Sequence, residues 1–250
     1  MVETQGIGKV FTDPKRGKIV AVENVDFAAQ PGQVTGLLGI NGAGKTTLLR
    51  MLSTVIPPSS GDGEVAGFSI TRNSLEVRRN IGFLSNSTAL YGRLTATEML
   101  TYFGRLYGLD EPTLKARTEF VIEKLNITEF RNQLCDKLST GQKQRVSIAR
   151  AILHDPPVLF FDEPTAGLDV VTSQTIMEFI EEVRESGKTV VFSTHIMTEV
   201  ERLCDTVTVI HEGKVCGRGS VPELKEQVGE SSLERAFLRL VGYTPQEAIR

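Results

Sequence analysis

The chain has 250 residues, with 28 Lys plus Arg against 31 Asp plus Glu and a net charge of −3. That length suits one domain, or a domain with a lobe, and can bury a real core; the near balance of charge argues against a dedicated nucleic-acid binder, which carries a basic excess. Three scattered cysteines without C-x-x-C spacing, Cys135, Cys204 and Cys216, argue against a disulfide framework and read as packing thiols in a reducing compartment.

Residues 1–5 have no basic region and no apolar core, so they do not read as a secretory signal. No apolar run approaches the roughly 20 residues needed to cross a bilayer. The chain is expected to be soluble, and any action at a membrane requires another chain to span it.

In chain order, residues 2–11 and 18–29 read as two extended segments joined by a turn at 12–17. A turn at Gln30-Pro31-Gly32 leads into a short buried strand over 34–38. The stretch Gly39-Ile40-Asn41-Gly42-Ala43-Gly44-Lys45-Thr46-Thr47 follows, and residues 48–52 read as a helix. A Pro/Ser/Gly break at 56–63 precedes a short strand at 64–66, one or two helical turns at 75–80, and a buried strand at 81–84. Thr95-Ala96-Thr97-Glu98 is a capping box opening a helix, and Pro112 suits the first turn of a second one.

A helix is expected over 142–153, and the apolar run Val158-Leu159-Phe160-Phe161 predicts a central strand of a parallel sheet. A helix over 171–186 ends at Gly187. A strand at 189–193, a short helix at 197–204, a hairpin of 206–211 with 214–217, and helices at 221–228 and 233–241 complete the chain. No internal repeat, heptad run or low-complexity segment interrupts this pattern. The expected organisation is a single α/β domain over 1–250. Its core is 1–86 plus 138–220, with a helical lobe at 87–137 and a short helical extension at 221–250.

Residues 39–47 fit the phosphate-loop pattern G-x-x-x-x-G-K-[ST], with a strand before and a helix after. Backbone N–H groups can surround a triphosphate most closely where no Cβ intervenes, which accounts for glycines at 39, 42 and 44. The helix that follows turns its positive dipole end to the same place. Lys45 adds a full charge, and Thr46 offers a hydroxyl to Mg²⁺. Asp162 and Glu163 follow directly on an apolar strand, where side chains reach the ligand crevice. Asp162 can hold the Mg²⁺ shell, and Glu163 can activate water against the γ-phosphate. Ser139, Thr140 and Gly141 before Gln142 make a second helix N-terminus able to meet an anion, or an ordinary Ser cap. One triphosphate does not need two such sites from one chain, which hints at a ligand shared between two copies. His195 also sits at a strand end, within reach of a γ-phosphate. His154 and His211 have no such placing.

With these pieces in order, residues 11–221 resemble the nucleotide-binding subunit of ATP-binding-cassette (ABC) transporters, a phosphate-loop fold with a mainly parallel sheet, an N-terminal antiparallel β subdomain and an inserted helical lobe. GINGAGKTT at 39–47 matches the family's Walker A loop, LSTGQ at 138–142 its signature, and VLFFDE at 158–163 its Walker B strand with the catalytic glutamate. Gly167-Leu168-Asp169 matches the D-loop, and His195 the switch histidine. The resemblance implies ATP and Mg²⁺ as cofactors, with Phe11 stacking on adenine. It also implies Ser139, Gly141, Gln142 and Asp169 reaching the nucleotide of a second cassette subunit, and an integral membrane permease as partner. The place of action implied is peripheral, at the cytoplasmic face of the membrane, and no nucleic acid is expected. Thr140 departs from the usual signature glycine. Asn86 stands where the family carries a Gln that contacts Mg²⁺, one methylene shorter. Residues 83–95 together with LSTGQKQR look like export-type cassettes, especially sodium-extrusion ones. A soluble DNA-repair or chromosome-organising ATPase shares this catalytic core, but the chain lacks the coiled coils such proteins carry between the Walker motifs.

Overall fold

The computed structural model describes residues 1–15, 17–85 and 89–243. The chain opens with β1 (Val2–Asp13) and β2 (Gly17–Val25), an antiparallel pair. The extended segment expected over 18–29 breaks in two. Asn24 adopts φ +48° within a register shift, and the pairing with β1 ends one residue later at Val25. Thr4 holds the crossing by accepting the Phe27 N–H at 2.8 Å. The chain then re-enters as β3 (Ala28–Ala29), which pairs with the start of β1 on another register.

Next come β4 (Val34–Leu38), α1 (Lys45–Leu52), β5 (Ser60–Val65), β6 (Phe68–Ser69), α2 (Ser74–Arg79) and β7 (Ile81–Leu84). Helices α3 (Ala96–Leu106) and α4 (Glu111–Lys124) follow, each with a side-chain N-cap: Thr95 in a full capping box with Glu98, and Asp110 ahead of Pro112. Then come α5 (Thr140–Ile152), β8 (Val158–Asp162), α6 (Val170–Glu185), β9 (Thr189–Thr194), α7 (Met197–Leu203), β10 (Thr206–His211), β11 (Lys214–Gly219), α8 (Val221–Val228) and α9 (Leu233–Leu240).

Two sheets result. The first runs β2-β1-β5-β6, with β3 also on β1, and its pairs are antiparallel. The second runs β11-β10-β4-β9-β8-β7 and is parallel except for the β10–β11 hairpin. Strands β4, β8 and β9 are buried along their whole length, as expected of parallel strands covered on both faces.

One apolar cluster joins α3, α4, α5 and α6 to the second sheet through Leu100, Val121, Ile148, Phe161 and Phe179. A second lies between the antiparallel sheet, α1 and the other side of the parallel strands, around Phe27, Leu48, Met51 and Phe160. A third packs α7, α8 and α9 on β10. Phe160 and Phe161 therefore point into different clusters, the alternation a strand imposes. Among the described residues no helix is long and apolar enough to cross a membrane.

Candidate active site

Strand register brings the site together. Strand β9 lies between β4 and β8, with Leu38 level with Thr194 and Asp162 level with Ser193. Three chain exits therefore open at one end of the sheet: the 39–47 loop after β4, Glu163 after β8 and His195 after β9. This is where ligands bind in open parallel sheets.

The loop is braced from outside. Gly213 donates its N–H to the Ala43 carbonyl at 2.9 Å, and Glu23 donates its N–H to Gly213 at 2.8 Å. Gly44 has φ +110°, and a Cβ there would sit 2.6 Å from the Ala21 carbonyl. At Gly39 a Cβ would collide with the carbonyl of Ile210. Two of the three loop glycines thus answer to packing against β2 and β10 as well as to a ligand's approach. Helix α1 starts without a side-chain cap and without an acidic residue in its first turn. The longer helices α3 to α6 all carry caps. Its first N–H groups therefore face a cavity of about 190 Å³, lined by Ala21, the loop from Asn41 to Thr47, and Glu163. A larger cleft of about 280 Å³ lies between α4, α5 and α6. Its cations Arg117 and Lys188 are already paired with Asp155.

Lys45 is 4% exposed. Its ammonium donates to the carbonyls of Gly39 at 2.7 Å and Ile40 at 3.2 Å, and pairs with Glu163 Oε1 at 3.1 Å. The same carboxylate oxygen is 3.3 Å from His195 Nδ1. Glu163 holds a left-handed φ of +48° that glycine would adopt more readily. Its N–H donates to the Ser193 carbonyl and hydroxyl, each at 3.1 Å. Asp162 is 1% exposed. Its Oδ1 accepts from Thr46 Oγ1 at 3.1 Å and from Ser193 Oγ at 2.8 Å. Its Oδ2 is buried without a hydrogen-bond partner among the described residues. An orphaned carboxylate oxygen beside a threonine hydroxyl is a donor set that suits a hard divalent cation such as Mg²⁺.

The remaining expected residues are elsewhere. Ser139 caps α5: its hydroxyl accepts the Gln142 N–H at 3.2 Å, while Gln142 Oε1 accepts the Ser139 N–H at 2.9 Å. The cap starts the helix two residues before the expected 142. It uses the hydroxyl oxygen and leaves the hydroxyl hydrogen to donate. Asp169 caps α6, accepting from the N–H and hydroxyl of Thr172 at 2.9 and 2.8 Å, and these bonds hold its carboxyl below the usual range. Gly141 lies against the same Thr172, where a Cβ would come within 3.0 Å of the hydroxyl. Gly141 and Asp169, expected in the signature and the D-loop, thus meet at Thr172, and neither lines the cavity beside Lys45. Phe11, on β1, is 40% exposed, with Lys9 Nζ 5.4 Å from its ring centre. Asn86 lies outside the described residues.

Sequence reasoning missed Ser193 and Glu199. Glu199 is buried and accepts from the Thr165 and Thr194 hydroxyls, at 2.6 Å each. It also missed Gln144, which donates to the Pro164 carbonyl at 2.6 Å and ties α5 to the loop after Glu163. Ser193 was legible as a polar residue at a strand end; the other two carried no signal in sequence.

A phosphate loop, a Walker B carboxylate pair and a histidine converging on one sheet end define a nucleotide-hydrolysing cassette. A family profile described as ABC transporter matches residues 22–166, and the chain belongs to that family as an ATP-binding, ATP-hydrolysing subunit. It is 42% identical over 239 residues to the ABC transporter ATP-binding protein NatA of Bacillus subtilis, covering 95% of this chain and 97% of that protein. It is 34% identical over 233 residues to the linearmycin resistance ATP-binding protein LnrL of the same organism, covering 93% and 73%. Among solved structures it resembles an ATP-binding subunit of an ABC transporter, with TM-score 0.86 and 27% identity over 96% of this chain and 99% of that one. It also resembles a dimeric ATP-binding cassette in a post-hydrolysis state bound to ADP and Pi, with TM-score 0.80 and 26% identity over 88% and 98%.

Proposed function

We propose that this chain hydrolyses ATP as half of a head-to-tail cassette dimer that drives a separate membrane permease in the export direction. The observation that carries the reading is the meeting of Lys45, Glu163 and His195 at one carboxylate oxygen, at 3.1 and 3.3 Å. Lys45 has three N–H donors, and three acceptors already take them. A γ-phosphate must displace one, and the mobile one is Glu163, since the others are backbone carbonyls. Substrate binding thus frees the Glu163 carboxylate to accept a proton from the attacking water. His195 is then left to donate to the γ-phosphate. Thr46 and Asp162 would hold Mg²⁺, which neutralises phosphate charge when bound.

The place of the second candidate anion-binding surface supports dimerisation. Gly141 and Asp169 meet at Thr172, and none of Ser139, Gly141, Gln142 and Asp169 lines the chain's own phosphate cavity, which supports their serving a nucleotide held by another subunit. The similarity to a dimeric cassette supports this arrangement. ATP favours the closed pair and biases a coupled permease only through that difference in affinity. The helical segment between residues 87 and 137 is the proposed permease dock, and Phe11 the proposed adenine platform. Export fits a relative named for linearmycin resistance. Sodium is the cargo proposed from the sequence of residues 83–95. The relatives are transporter proteins, which favours this reading over DNA repair.

Glu163→Gln is expected to lower hydrolysis at least about 100-fold while ATP binding persists and a dimer accumulates on size exclusion. Lys45→Ala should weaken nucleotide binding itself. Hydrolysis at the native rate by Glu163→Gln would remove Glu163 as the base. A strict monomer in ATP with turnover blocked would remove the shared site.

A further inference from the structure

Glu199, on α7, is 6% exposed and does not line the phosphate cavity. Its Oε1 accepts from Thr165 Oγ1 and its Oε2 from Thr194 Oγ1, both at 2.6 Å. Thr165 stands two residues after Glu163, and Thr194 immediately before His195. The Thr194 hydroxyl also accepts the Ile196 N–H at 3.0 Å, so one oxygen fixes the chain on both sides of His195. A buried carboxylate is expensive unless each oxygen is bonded. Here one bond comes from the loop after β8 and the other from the last residue of β9, so Glu199 is satisfied only when both are in place.

The side chain of His195 is 42% exposed and meets Glu163 at its Nδ1, so its backbone does much to place it. Glu163 sits on a left-handed residue, a conformation that persists only when its surroundings impose it. We propose that Glu199 is a positioning residue for hydrolysis: by clamping Thr165 and Thr194 it sets the separation of His195 and Glu163. This rests on reading those two residues as the hydrolytic pair. Because the clamp lies outside the cavity, it governs the rate of turnover and leaves nucleotide affinity alone.

The test uses the full chain with Glu199→Ala, Glu199→Gln and the double variant Thr165→Val with Thr194→Val. Glu199→Ala is expected to lower kcat about tenfold or more while KM for ATP stays within about twofold, since small displacements of reacting groups are costly to turnover. The Gln amide can accept from one threonine and donate to the other, so Glu199→Gln should recover most of the rate. The double valine variant keeps Glu199 and should reproduce the loss, which covers the case in which Glu199→Ala does not fold. In the nucleotide-free protein, the imidazole proton resonance of His195, assigned with His195→Ala, should move in Glu199→Ala and the double valine variant and return in Glu199→Gln. A resonance unmoved in every folded variant, or KM rising at constant kcat, overturns the clamp. Native-rate hydrolysis by Glu163→Gln alongside a moving His195 resonance would instead overturn the hydrolytic reading and leave the clamp standing.

Discussion

Glu163 carries two burdens, a reactive carboxylate and a backbone conformation suited to glycine. The two can be separated by comparing variants that both remove the carboxylate. Glu163→Gly is expected to be more stable than Glu163→Ala by about 1 kcal/mol, because only alanine keeps a Cβ at φ +48°. Equal urea midpoints for the pair would mean the loop relaxes and stores no strain. Sequence gave the identity of this residue and its place after a strand. It gave no hint of its torsion, which Ser193 on a neighbouring strand helps to fix. The loop glycines show the same division. The pattern placed them, but the carbonyls that exclude a side chain at Gly39 and Gly44 belong to β10 and β2.

At the scale of elements, the capping boxes at Ser139 and Ser220 share one geometry, closed by the Gln142 amide in the first and by the Glu223 carboxylate in the second, which also accepts from the Ser220 hydroxyl. Each Ser→Ala change should cost about 1 kcal/mol of stability, read from thermal or urea unfolding. Their effects on turnover should differ. Ser139→Ala is expected to slow ATP hydrolysis well beyond its stability loss, because that hydroxyl still has a hydrogen to give a nucleotide. Ser220→Ala should leave the rate unchanged. Equal rates for both would reduce Ser139 to a helix cap. Boundaries read from sequence were good where a cap or a glycine marks the end, as at Thr95 and Gly187. They failed at Asn24, where a left-handed turn inside a run of strand-forming residues depends on a bond from Phe27 to Thr4.

For the whole molecule, His154 is the test of how the helices hold to the sheet. Its ring stacks on Tyr107 at 3.7 Å, and Nε2 lies 3.0 Å from the Ile81 carbonyl, joining α5, the end of α3 and the start of β7. Nδ1 is buried without a hydrogen-bond partner among the described residues. Burial pushes the imidazole from 6.5 down to about 4. The folded state therefore prefers the neutral ring, and between those values the unfolded chain binds the extra proton. Stability is intact above pH 6.5 and falls as pH drops through the window, by up to about 3 kcal/mol. Carboxylates such as Glu98 and Asp110, held low by their capping bonds, lose their contribution only at more acid pH. His154→Gln should flatten the decline in urea midpoint between pH 6.5 and 4.5. An unchanged slope would show that another group titrates there.

The sequence by itself determined the chemistry available: a phosphate loop, a carboxylate pair after an apolar strand, a histidine after another, and a cassette family. These are local signals, since spacing within a few residues fixes each of them. Tertiary structure decided which of them meet. Only the order of β4, β9 and β8 places Lys45, Glu163 and His195 around one oxygen. Only the packing of α7 puts the Glu199 carboxylate between Thr165, in the loop after β8, and Thr194, at the end of β9. Contacts across a sheet depend on strand order and register, and no short stretch of chain encodes either.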